Sequence, residues 1–148
     1  MSSSNRSAVE TNYSAVFSIR TSQLIKTEPA DLLALSGQLI RDGVSVNIPP
    51  RKSPNGDRYG LIVTIERYYP LEVAVLMHEI ALLLFSHVRP IAGQQDKFIE
   101  LCLLDNDGRS AWASGHPQCG EQTVRWVGVL PDWLRLALLE QAFEVRRT

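Results

Sequence analysis

Along this chain the spacing of apolar residues switches between a period of two and one near that of a helix. The switches fall in the order extended, helical, extended, turn, extended, helical, extended. Tyr13, Ala15, Phe17 and Ile19 alternate with Ser14, Val16, Ser18 and Arg20, as expected of a half-buried strand. Leu32, Leu35 and Leu39 then recur at helical spacing, with Leu33 and Ile40 widening the stripe. Thr27 or Glu28 is placed to cap that helix, Pro29 suits its first turn and Asp31 complements its dipole. Asp42-Gly43 stops it, with Gly43 expected at the left-handed C′ position. Val44, Val46 and Ile48 resume alternation until Pro49-Pro50, which cannot donate to a ladder. Pro54-Asn55-Gly56-Asp57 is a turn signal, because Asn-Gly tolerates positive φ, and it joins that strand to the β-prone run from Gly60 to Ile65.

The second helix is expected from Pro70 to about Ser86, and its composition is unusual. Glu72, Glu79 and Ser86 form one narrow polar stripe beside His78, while nearly every other position is apolar. A helix this hydrophobic around its circumference has to be covered on more than one side. The sheet can supply one cover; the C-terminal helix or a second subunit has to supply the other. Phe98 to Leu104 reads as a strand, Asp105-Asn106-Asp107-Gly108 as a tight turn and Ser110 to Ser114 as a short return strand. His116 to Gly120 reads as loop, Thr123 to Leu130 as another strand, and Pro131-Asp132 opens a last helix through about Val145.

From Tyr13 to Asp105 this order is β-α-β-β-α-β. The expected class is therefore α+β, with a ferredoxin-like core, extra C-terminal strands and a closing helix. Residues 1 to 11, rich in serine and asparagine, read as a flexible tail, and residues 12 to 148 as one domain.

A formal net charge of −1 over 148 residues suggests no global attraction to nucleic acid. Cys102 and Cys119 are too few for a disulfide framework and read as reduced thiols. The first ten residues lack the apolar stretch of a secretory signal, and the apolar run from Val73 to Phe85 is shorter than the ~18–20 residues that span a bilayer. A cytoplasmic location without membrane attachment is expected.

Motifs that carry chemistry are incomplete. His78-Glu79 begins a zinc-protease helix, but Leu82 stands where the second histidine belongs. His116 and Cys119 have half of a metal-site spacing, which Cys102 or His87 would have to complete, and no orienting partner marks them as a catalytic pair. Asp105-Asn106-Asp107-Gly108 lacks the further acidic ligands of a calcium loop, Ser114 standing where the bidentate glutamate belongs. Neither a phosphate-binding glycine loop nor a nucleophile elbow is present. No metal and no cofactor is expected.

The reading that follows is a small non-enzymatic protein-binding module of bacterial type, an adaptor, immunity or anti-defence factor or chaperone-like protein, and a homodimer. From residue 28 onward the element order resembles that of small acidic secretion chaperones, in order alone and without a shared motif. Trp112, Glu72, Glu79 and Trp133 are the expected partner contacts, Trp112 because its surroundings are polar. A second reading is nucleic-acid binding through the basic hairpin tip of Arg51, Lys52 and Arg58. Tyr59 adjoins that tip, and Arg67, Tyr68 and Tyr69 lie at the far end of the strand. A third is an enzyme that uses Cys119 with His116.

Overall fold

Strand β1, Tyr13–Arg20, lies near the centre of the sheet, and its alternation is the one read from sequence: Ala15, Phe17 and Ile19 are buried on one face. The computed structural model describes residues 13–49, 59–90, 99–104, 110–117, 124–140 and 144–146, of which 59, 104, 110–117 and 144–146 are described through their backbone alone. After a 3-10 turn at Thr21–Gln23 come helix α1 (Pro29–Leu39), β2 (Val44–Asn47), β3 (Tyr59–Arg67) and helix α2 (Pro70–Phe85). Then follow β4 (Ile99–Leu104), β5 (Ser110–Pro117), β6 (Val124–Gly128), helix α3 (Asp132–Glu140) and β7 (Glu144–Arg146).

These strands make one seven-stranded sheet in the order β2-β3-β1-β4-β5-β6-β7. Neighbours are antiparallel except β6 and β7, which are parallel. The α+β class holds. The sheet is longer than expected, and its complete order is not the four-stranded order of a ferredoxin-like fold.

The register explains the layers. Phe17 stands opposite Val63 on one side and Leu101 on the other, and Val46 opposite Val63, so the buried rows of four strands share a face. Their side chains form a single core cluster with Leu32, Leu35 and Leu39 of α1, Val73, Met77, Ile80 and Leu84 of α2, and Leu134 and Leu138 of α3. α1 packs on β2, α2 on β3, β1, β5 and β6, and α3 on both α2 and β7. The greasy circumference of α2 is thus covered twice, by the sheet and by α3. No described helix covers the opposite face, where Ser14, Ser45, Asn47 and Glu66 are exposed and Val16, Ile62, Thr64 and Cys102 half-buried.

Three local expectations differ from what is seen. First, α1 ends at Leu39 with Ile40 extended, and Gly43 sits later, in the turn before β2. The capping of α1's last carbonyls falls to a side chain instead: the Arg41 guanidinium donates to Gln38 O at 3.0 Å and to Leu39 O at 3.3 Å. Gly43 still requires glycine, since its φ is 83° and a Cβ there would lie 2.9 Å from the Glu66 carbonyl oxygen. Second, His116 and Pro117 are strand rather than loop, standing opposite Arg125 and Val124 of β6. Third, the last helix, described over Asp132–Glu140, does not run through Val145: Glu144–Arg146 is a strand parallel to β6, Val145 opposite Trp126. Helical periodicity in a short apolar run does not reveal that β6 needs a partner for its outer backbone groups.

Candidate functional site

Helix α2 starts where β3 ends, so the last residue of the strand and the first turn of the helix meet at one corner. Arg67, at the end of β3, donates from Nε to Glu72 Oε1 at 3.2 Å and from Nη2 to Glu72 Oε2 at 3.3 Å. Its Nη1 donates to Asp42 Oδ2 at 2.7 Å. One guanidinium therefore joins the α1–β2 turn, the end of β3 and the first turn of α2, in the forked geometry that arginine offers two carboxylates. The hydrogen bonds it donates to Glu72, and then to Asp42, hold its pKa well above the ordinary value. Two turns further along α2, Glu79 Oε1 accepts from Arg41 Nη1 at 2.9 Å, tying the helix to the end of α1. The polar stripe read from sequence on α2 is thus real, and all three of its members are engaged within the chain, Ser86 Oγ donating to Leu83 O at 2.9 Å.

Beside the Arg67 pairs lies a cleft of about 380 Å3, lined by Asp42, Arg67, Leu71, Glu72, Val75 and Leu76. Its floor is apolar and its charged rim is paired internally. Leu71 is 37% exposed, and Tyr68 and Tyr69 beside it are exposed as well, Tyr69 at 66%. Charges satisfied by one another contribute little to ligand binding, so what this surface offers is apolar area framed by polar groups.

The remaining expected contacts are dispersed. Trp133, on α3, is half-buried, with its ring 4.8 Å from that of Tyr13 and tilted by 49°. It joins the start of α3 to the start of β1. Trp112 is on β5, directly opposite Cys102 of β4, in a row that continues through Val16 and Thr64. The structure therefore brings Glu72 to the cleft, sets Glu79 further along the same helix, and puts Trp112 on another part of the sheet. Arg51, Lys52 and Arg58 lie outside the described residues, as do Cys119 and the Asp105–Gly108 turn. Among the described residues no group of three metal-ligating side chains converges, and no helix is long and apolar enough to cross a membrane.

Compared with known proteins, the chain matches no family model, no curated protein and no solved structure.

Sequence reasoning passed over Asp42, Leu71, Val75 and Leu76, and read Arg67 as part of a basic surface. The available signal was the narrow stripe of Glu72 and Glu79 on an otherwise apolar helix. Isolated carboxylates on such a helix call for cations facing them, and an arginine at each adjoining chain end supplies them.

His78 marks the edge of α2's buried arc. Burial lowers its imidazole below the ordinary 6.5, with the neighbouring Glu79 carboxylate acting in the opposite direction. The folded chain thus binds fewer protons here than the unfolded chain. Its contribution to stability is complete above about 6.5, is lost as pH falls from there to the lowered folded value, and is constant below that. Replacing His78 with Gln should remove this part of the acid limb while leaving the neutral side unchanged. Urea midpoints measured against pH for both proteins test it, and parallel profiles would show that His78 is not the group responsible.

Proposed function

We propose that the protein is a non-enzymatic protein-binding module that docks its partner on the uncovered flank of α2. What supports the reading is the cleft of Leu71, Val75 and Leu76. Apolar floor at the centre with polar groups around it is the anatomy of a protein interface. Exposed Tyr68 and Tyr69 enlarge that surface with aromatic area, which dominates interface energies when it becomes buried. Adaptor, immunity, anti-defence and chaperone-like roles all use a module of this kind, and a second copy of the chain is one possible occupant of the surface. The order β2-β3-β1-β4, with each neighbour antiparallel, supports the accompanying proposal that β1 to β4 with α1 and α2 are a split βαβ unit, extended at one edge by β5 to β7.

The test is affinity capture of the tagged protein from its own cell, with nuclease and high-salt washes, in parallel with the Leu71→Asp variant. A defined protein retained through both washes by the native chain and lost by the variant supports the proposal. Equal retention by the two, or loss of all material on nuclease treatment, overturns it. Light scattering identifies the occupant: twice the monomer mass, returning to one in Leu71→Asp, makes it a second copy.

A further inference from the structure

A second cleft, of about 360 Å3, opens between α1 and the turn that follows α2, and its charged groups behave differently from those around Arg67. One wall is a single face of α1: Asp31, Ala34, Leu35 and Gln38, at the i, i+3, i+4, i+7 positions of a helix. The facing wall is the segment Ile25–Lys26 with the Ser86–His87 turn that follows α2. That wall is fixed by backbone bonds. Ile25 N donates to His87 O at 3.0 Å, and Arg89 N to Gln23 O at 2.8 Å, while Leu24 and Val88 form an isolated bridge. The Arg89 guanidinium adds a bond to Leu24 O at 3.3 Å. Both walls are therefore set before any ligand arrives, which lowers the ordering cost of binding.

Among the described residues, no hydrogen bond or ion pair engages the side chains of Lys26, Asp31, Gln38 or His87. Lys26 and Asp31 line one cleft with opposite charges yet do not pair, in contrast to Arg67 with Glu72 and Asp42. A pocket with an apolar back and a few unengaged polar groups is the usual form of a small-molecule site, and this one is at the small end of the range.

We propose that this cleft binds a small zwitterion of the amino-acid class. Lys26 takes the carboxylate, Asp31 takes the ammonium group, and the apolar tail lies against Ile25, Ala34 and Leu35. The two charges of the ligand match the two charges of the site, so neither Lys26 nor Asp31 has to bind a lone ion. This site is separate from the partner surface on α2 and does not depend on it.

The test is an NMR titration of the full chain with L-leucine, L-leucinamide, which lacks the carboxylate, and 4-methylpentanoate, which lacks the amine. Leucine is expected to bind in the ~1 mM range and each analogue about tenfold more weakly, the loss of one charge-assisted contact. Lys26→Ala should erase the difference between leucine and leucinamide, and Asp31→Asn that between leucine and 4-methylpentanoate. Since Lys26 has no partner in the fold, Lys26→Ala should keep the native thermal midpoint, and Asp31→Asn should lower it only slightly, by the lost interaction of that carboxylate with the start of α1. The proposal is overturned if signals from Ile25, Asp31 and His87 do not move by ~10 mM leucine, if all three compounds bind alike, or if the variants preserve both differences.

Discussion

Leu134→Asp is expected to unfold the protein at neutral pH or to release α3 from it. Leu134 is fully buried in the core cluster, on the helix that covers α2. The substitution removes about 2–3 kcal/mol of apolar burial. It also sets a carboxylate where no cation is described, which costs several kcal/mol more unless the helix lifts away. The sum, at roughly 5 kcal/mol or more, is comparable with the entire stability of a domain. Leu136, two residues along the same helix, is 56% exposed, so Leu136→Asp should change stability by no more than about 0.5 kcal/mol. Denaturant unfolding of the pair decides the matter. A similar midpoint for both would mean that α3 does not lie on α2 by its Leu134 face.

Trp126→Ala should cost about 3–5 kcal/mol, the range for large-to-small changes in a core. Trp126 is fully buried on β6, nearly parallel to Phe17 of β1, with ring centroids 6.0 Å apart and planes 18° from one another. The pair spans β4 and β5, linking the two halves of the sheet beneath α2. Its indole nitrogen is buried without a hydrogen-bond acceptor among the described residues. Indole N–H groups usually find a partner when buried, and an unmet one costs about 1–3 kcal/mol. Trp126→Phe should therefore be far milder than the lost area alone suggests, because the same change removes an unsatisfied donor. Equilibrium unfolding of both variants separates the terms; a Phe variant as unstable as the Ala variant would show that the indole N–H is satisfied in solution.

Both expectations concern packing, and packing is where sequence and structure part. The period-two runs around Phe17 and Val63 identify strands because one face of each is buried, and burial is written in the alternation itself. Helix α2 is equally plain: a rod with only Glu72, Glu79 and Ser86 as a polar line has to be covered on two sides. What that pattern leaves open is the identity of the second cover, since α3 of this chain and a helix of another bury the same area.

The candidate site was less legible. Glu72 and Glu79 stood out, and Arg67 is only five residues from Glu72, but Arg41 is 38 residues from Glu79 and Asp42 is 25 from Arg67, and these meet only because α1 ends beside α2. Lys26 gave no signal, and Asp31 gave only that of a helix N-terminus. Each is an ordinary charged residue until the turn after α2 is pinned against the segment before α1. Local composition thus determined where strands and helices form and which helix needs the most cover, through hydrophobic period, proline and glycine. The order of strands, the return of Glu144–Arg146 as β7 and the meeting of distant charges were decided by tertiary structure, because they depend on which backbone edge and which apolar face remain unsatisfied after the local elements have formed.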